Sequence, residues 1–198
     1  VPFLWDDDLV SVGYGARSCT WPTSDLPDVA AVNWDTCASI PVALVTGTNG
    51  KTTTSRLLTR ILSRAGFAVG STSTDGVSVN EQLVEHGDWT GTGAARTVLR
   101  RTDVSAAVLE TARGGLLRRG LGVECCDVAL VTNVAEDHFG EYGIKDLKAM
   151  AAVKSLVFKV VRDSGRCVLN ADDAELMALR HKHSAPIILT SLDAENPH

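Results

Sequence analysis

The segment Thr46-Gly47-Thr48-Asn49-Gly50-Lys51-Thr52-Thr53 constrains this chain more than any other. An apolar run, Val42–Val45, leads into it, and a helical pattern, Thr52–Ala65, leads out of it. Strand, glycine-rich turn and helix in that order make a cradle for phosphate. Glycines let the backbone wrap closely around an anion, and the N–H groups opening the helix carry partial positive charge. The spacing is GxxGKT; Val45 stands where the general formula GxxxxGK[ST] has its outer glycine. On this reading Gly47, Thr48, Asn49, Gly50, Lys51, Thr52 and Thr53 hold a nucleotide. Lys51 reaches its β- and γ-phosphates, and the Thr52 hydroxyl serves Mg²⁺.

From Pro41 onward, short apolar runs alternate with helical stretches. The expected strands are Val42–Val45, Ala106–Leu109, Val128–Val131, Cys167–Leu169 and Ile187–Leu189. The expected helices are Thr52–Ala65, Gly93–Arg101, Ile144–Val161 and Asp172–His181. Val69–Val84, with turn signals at Asp75-Gly76 and Asn80-Glu81, reads as a strand plus a hairpin. Several strands are apolar at consecutive positions, as strands covered on both faces are. The alternation predicts an α/β fold: a mostly parallel sheet flanked by helices on both faces. Residues 1–40 hold Trp5, Trp21 and Trp34 and few helical periods, and read as a lead-in or the end of a preceding domain. Residues 41–198 read as the nucleotide-binding domain. In such sheets ligands sit past the carboxyl ends of the strands. Gly47–Lys51, Glu110 and Asn133 all fall there.

A net charge of −5 argues against a nucleic-acid binder held by a general basic field. The five cysteines are odd in number and have no zinc or CxxC spacing, which suits reduced thiols in the cytoplasm. No apolar run approaches the roughly 18 residues of a membrane helix, and no signal-peptide pattern opens the chain. The expectation is a cytoplasmic protein without a membrane partner; nothing in the sequence bears on oligomeric state.

Two charged residues sit in apolar surroundings. Glu110 ends an apolar strand and heads toward the phosphate loop. A carboxylate beside phosphates is repelled unless a cation lies between them, which points to Mg²⁺ coordination; pairing with Arg113 or another arginine is the alternative. Lys154 falls, at 100° per residue, within an arc of Ile144, Leu147, Met150, Ala151, Val157, Phe158 and Val161. Lys145, Lys148, Ser155 and Lys159 lie opposite. A buried ammonium is costly and loses its proton more readily. Lys154 therefore touches phosphate, reacts with CO₂ as a carbamate, or snorkels at the rim of the stripe.

The string GTNGKTT resembles the Mur ligase family, which includes folylpolyglutamate synthase and the ligase half of cyanophycin synthetase. Leu109–Arg118, LETARGGLLR, is similar to the cyanophycin synthetase form of the second motif. Thr132–His138, TNVAEDH, resembles the TN…DH motif, and Ser73-Thr74-Asp75-Gly76 and Leu169–Asp173 match as well. The likeness runs in family order from about Pro41 to the end. It implies that Glu110 binds metal, that His138 helps hold a second Mg²⁺ with Asp137 beside it, and that Thr74 is a further metal ligand. It suggests nucleotide contacts for Asn133 and for Asn170, the latter near adenine, against a turn-forming role for each. It favours the carbamate at Lys154, in the AxxK context Ala151–Lys154.

The resemblance implies ATP-dependent amide-bond formation from an amino-acid or peptide-like carboxylate and an amine, through an acyl phosphate, with ATP and Mg²⁺. Lys51, Glu110, His138 and Lys154 are the expected catalytic residues. The segment 87–96 either holds the carboxylate substrate, with Arg96 and Arg113 pairing an anion, or is a solvated glycine-rich loop. Family members continue into a C-terminal domain, so residues 1–198 alone are expected to ligate little. The alternatives are a non-catalytic nucleotide-binding module of a larger assembly and another P-loop phosphotransferase; neither a DxxG nor an NKxD guanine motif is present.

Overall fold

A computed structural model describes residues 1–87, 89–136 and 143–198. Its centre is a sheet whose parallel strands are β4 (Val42–Thr46), β5 (Val69–Ser73), β8 (Ala106–Glu110), β9 (Cys126–Val131), β10 (Val161–Asn170) and β11 (Ile187–Thr190). Two antiparallel strands, β6 (Gly76–Val79) and β7 (Gln82–His86), extend it. The order is β11-β10-β9-β4-β8-β5-β6-β7. Residues 69–86 thus build a three-strand meander. Its second turn places Asn80 and Glu81 at positive φ, as a tight hairpin turn requires.

The consecutive apolar residues of β8 alternate between two cores. Ala106 and Val108 pack with Val45 and Val69 beneath α1 (Lys51–Arg64), which lays Leu58 and Leu62 on that face. Ala107 and Leu109 join Leu44, Ala129 and Val131 on the other face, under α2 (Thr92–Leu99) and α3 (Arg113–Arg119). Burying each such side chain contributes about 1.5–3 kcal/mol. Helices on both faces confirm the expected α/β class.

α3 has no counterpart among the expected helices. Gly114-Gly115 has poor helix propensity and hides it. A Cβ on Gly115 would come within 3.0 Å of the Thr90 carbonyl oxygen, so this glycine allows a close approach. The expected long helix Ile144–Val161 is also corrected. The α-helical part, α4, covers Leu147–Lys154, and Ser155–Val160 tightens to three residues per turn before entering β10. The tighter winding rotates Ser155 off the water-facing side, and it is buried along with Val157 and Phe158. α5 spans Ala174–Leu179, shorter than Asp172–His181, because Asp173 caps its start and a 3₁₀ turn takes Arg180–Lys182. Among the described residues, no helix is long and apolar enough to cross a membrane.

The first 40 residues form an antiparallel sheet of β1 (Phe3–Trp5), β2 (Leu9–Val12) and β3 (Cys19–Pro22). It is joined closely to the main sheet's core. Tyr14 is fully buried, and its Oη accepts the Glu124 N–H at 2.9 Å. The Ala16 N–H reaches the Val104 carbonyl at 2.7 Å, and Leu4, Tyr14 and Ile40 share one core with Val42 and Leu44. Burial pushes the Tyr14 phenol up to about 12.

Two measurements check this packing. Tyr14→Ala should lower unfolding stability by about 3–5 kcal/mol and Tyr14→Phe by about 1 kcal/mol, each as a single urea transition. Separate melting of residues 1–40 would contradict the shared core. His183, stacked edge-on against Phe158 at 4.6 Å, is held below the ordinary 6.5 by burial and by nearby Lys182. The unfolded chain then binds this proton more readily. Stability should be complete above pH 6.5 and decline as pH falls through that value, with a slope that His183→Leu removes.

Candidate functional site

β4 lies between β9 and β8, so the ends of three adjacent parallel strands meet at one edge. Val45 pairs with Glu110 and Thr46 with Val131. This register puts Gly47–Thr52, Glu110 and Thr132-Asn133 side by side. The expected convergence of these three segments is what the fold delivers.

The loop is built against the chain that leaves β9. The Asn49 N–H donates to Asn133 Oδ1 at 3.0 Å, and the Asn49 carbonyl accepts from Asn133 Nδ2 at 3.0 Å and Thr132 Oγ1 at 2.7 Å. The Thr48 N–H donates to the Asn133 carbonyl at 2.9 Å, and Thr48 Oγ1 accepts from the Ala135 N–H at 3.0 Å. Asn133 therefore acts on the loop backbone with both ends of its amide. Thr132, which the sequence reading did not single out, does the same with its hydroxyl; its place beside Asn133 was the available signal.

Gly47 has φ +147°, and a Cβ there would run into Thr132 Oγ1; Gly50 has φ +81° and open space where a Cβ would be. Gly50 is also the N-cap of α1, with no side-chain cap and no acidic residue in the first turn. α4 and α5, by contrast, begin on Asp146 and Asp173, whose carboxylates accept first-turn N–H groups. The first N–H groups of α1 are left for an anion. Lys51 Nζ donates to the Thr48 carbonyl at 2.9 Å, which holds the ammonium over the loop.

The oxygen atoms suited to a hard cation lie beside the loop. Thr52 Oγ1 and Thr74 Oγ1 are 3.4 Å apart. Asp75, next to Thr74, is tied to Arg56 of α1 at 2.6 Å. Glu110 is 2% exposed, and its N–H donates to Thr72 Oγ1 at 3.1 Å. Hydroxyls and a carboxylate fit a magnesium-like ion that completes its shell with phosphate oxygens and water. Among the described residues no cluster of three or more His, Cys, Asp or Glu is assembled. His138 and Asp137 lie outside the described residues, as does Asp88 of the 87–96 segment.

Lys154 is 3% exposed at the end of α4, a helix packed on α3 and α5, which agrees with its place on the apolar stripe. Asn170 forms a turn, its Oδ1 accepting the Asp172 N–H at 3.0 Å, and also lines a cleft of about 240 Å³ with Thr54, Thr132, Thr190 and Leu192. A second cleft of about 380 Å³ lies between Trp89–Ala94 and the glycines and arginines of α3, Gly114, Gly115, Arg118 and Arg119. Arg96 does not line it; it pairs with Asp6 at 3.5 Å and donates to the Trp5 carbonyl, so the N-terminal sheet engages it, which favours the second of the two readings of segment 87–96 for this arginine. All five cysteines are free thiols; burial pushes Cys126 up to about 12 and Cys167 to about 11, which leaves them inert.

A model of the Mur ligase middle domain matches residues 45–198. The chain is 47% identical over 195 residues to a cyanophycin synthetase of Synechocystis sp., covering 95% of this chain and 22% of that protein. It is 30% identical over 161 residues to a UDP-N-acetylmuramoyl-L-alanyl-D-glutamate–2,6-diaminopimelate ligase of Listeria monocytogenes, covering 76% and 32%. A solved structure of a ligase of that latter name superposes with a TM-score of 0.63 at 27% identity, over 79% of this chain and 33% of the other. The chain thus spans between about a fifth and a third of the length of these relatives.

The two loop glycines should respond differently to alanine. Gly50→Ala meets only backbone strain and should cost about 1–2 kcal/mol. Gly47→Ala adds collision with Thr132 and should cost about 3 kcal/mol or more. Thermal denaturation of both variants reads this directly; equal losses would mean that Thr132 does not pack against the loop.

Proposed function

We propose that this chain, which belongs to the Mur ligase family, is the nucleotide-binding middle domain of an ATP-dependent amide-bond ligase. The observation that carries the proposal is the uncapped start of α1 behind a loop clamped by Thr132 and Asn133. Such a start, with glycine at its N-cap and a lysine over the loop, is suited to the phosphates of a nucleotide. Asn170 and the cleft beside it would take the adenine, and Asn133 would serve the nucleotide through the loop it holds.

In the proposed reaction a substrate carboxylate attacks the γ-phosphorus of ATP. An acyl phosphate forms and ADP leaves; an amine then attacks the acyl carbon and phosphate departs. Lys51 would exchange the Thr48 carbonyl for phosphate oxygens, which spreads the charge of the transferring group. Thr52, Thr74 and Glu110 would hold Mg²⁺, with His138 assigned to a second ion by resemblance. The ion would neutralise phosphate charge that the buried Glu110 otherwise opposes. Lys154 would act from the end of α4 as a carbamate, for which its burial supplies the motive. The cleft of Trp89–Ala94 and α3 would orient the carboxylate, with Arg113 and Arg118 close by. An amino-acid or peptide-like carboxylate and an amino-acid amine are the substrate classes we favour. The Listeria relative is named for a peptide-like D-glutamate and an amino acid, 2,6-diaminopimelate. Five free thiols and the acidic net charge support a cytoplasmic protein that does not bind nucleic acid.

Two experiments test the reading. With the longer protein and an oxygen-18-labelled carboxylate substrate, label should pass into inorganic phosphate, and Glu110→Gln should slow that transfer by about a hundredfold or more. Phosphate free of label would rule out the acyl phosphate. Carbon-13 NMR after equilibration with labelled bicarbonate should show one carbamate resonance that Lys154→Arg removes; a spectrum without it at saturating bicarbonate would leave Lys154 as an amine.

A further inference from the structure

The register of the N-terminal sheet sets Phe3 beside Val12 and Val12 beside Cys19; it sets Trp5 beside Val10 and Val10 beside Trp21. Side chains paired across strands share a face. One face therefore carries these six apolar residues in two rows. The other carries Leu4 and Ser11, both buried against the body of the protein. Among the described residues, none of the six joins either apolar core. Trp5 is 64% and Phe3 48% exposed, and Val10, Val12 and Trp21 are partly exposed. An apolar sheet face calls for a covering layer, and exposed aromatics gathered in one patch mark an interaction surface.

A second uncovered apolar strip lies on α1. At 100° per residue the helix turns Ser55, Leu58, Thr59 and Leu62 to the main sheet and Leu57, Arg60, Ile61 and Arg64 to the opposite side. Leu57 and Ile61 are 60% and 55% exposed there. The charges around the two surfaces differ in sign. Residues 1–40 contain six aspartates and one basic residue, Arg17, and so hold the whole −5 of the chain. Asp7 and Asp8 between β1 and β2, and Asp25 after β3, stand exposed at one end of the apolar sheet face, where the Thr23 N–H holds the Asp8 carbonyl at 2.8 Å. Neither these three nor Arg60 and Arg64 form an ion pair among the described residues. An apolar face edged by aspartates complements an apolar strip edged by arginines, while each repels its own kind. They do not meet within one molecule. The N-terminal sheet joins the core under α2 and α3, and α1 covers the other face of the main sheet.

We propose that the outer face of the N-terminal sheet of one copy docks on α1 of a second copy, joining copies head to tail. Trp5 and Phe3 pack on Leu57 and Ile61, and Asp7, Asp8 and Asp25 lie toward Arg60 and Arg64. The helix supplies the layer that the sheet lacks. A contact between two different faces leaves one of each free at the ends, so assembly continues past the dimer. Three short strands on one helix bury an area at the low end of specific interfaces, which sets a dissociation constant of the order of 10 µM. The contact lies on the exposed side of α1 beyond the phosphate loop and does not rest on the nucleotide reading.

The test is sedimentation velocity on the 198-residue chain. The average mass should rise with concentration between about 1 and 300 µM and pass that of a dimer. Trp5→Asp and Ile61→Asp should each stay monomeric over that range. Mixed in equal amounts, the two variants should form a 1:1 dimer and nothing larger, because one intact face of each kind remains. Arg60→Glu should weaken association of the otherwise unchanged chain about tenfold. A wild type that stays monomeric would overturn the proposal and leave the two faces to a different protein. Self-association by either aspartate variant would overturn it too, since a face would then be pairing with its own kind. So would a mixture of the two that stays monomeric, or an Arg60→Glu chain that associates as the wild type does.

Discussion

The peptide unit of Asn49 is held from both ends by residues that leave β9, and the site depends on that grip. Asn133 accepts its N–H and, with Thr132, donates to its carbonyl. A glycine-rich loop has little stiffness of its own. Three hydrogen bonds to a neighbouring strand end convert it from a loop that samples many shapes into one fixed shape. Each bond contributes about 0.5–1.5 kcal/mol, and their joint effect is to order the backbone before any ligand arrives. Preorganised N–H groups then need no rearrangement to meet an anion.

The clamp in turn requires the sheet order. Only because β4 lies between β9 and β8 can one loop touch Thr132 and Asn133 on one side and lie beside Glu110 on the other. One large and one small core hold that order by covering both faces of β8 and β4. The N-terminal sheet adds to one of these cores through Tyr14 and Leu4. It also removes Arg96 from the region of the strand ends by pairing it with Asp6. A segment that looks compositionally separate therefore shapes what remains available near the site.

Much of this was legible in the residues because it follows from local rules. Consecutive apolar positions marked β4, β8 and β9 as covered strands, and the period of Ile144–Val161 marked Lys154 as buried. What escaped depended on tertiary contact. α3 is concealed by Gly114-Gly115, whose poor propensity is overridden by close packing on Thr90. The end of α4 and the burial of Ser155 follow from a change of helical winding that no single-period pattern contains. Thr132 stands beside Asn133 in the sequence, but its role in holding the loop shows only in the contact with Gly47 and Asn49. The Arg96–Asp6 pair joins positions far apart in sequence, which spacing cannot reveal.

Calorimetric titration of the chain with a non-hydrolysable ATP analogue and magnesium tests the central claim most directly, with wild type and Lys51→Ala side by side. Saturable binding by the wild type is expected, with a loss of at least about tenfold in affinity for the variant. Equal affinity in both, or no binding by a folded wild type, would contradict the claim that the clamped loop at Gly47–Thr52 is a nucleotide site.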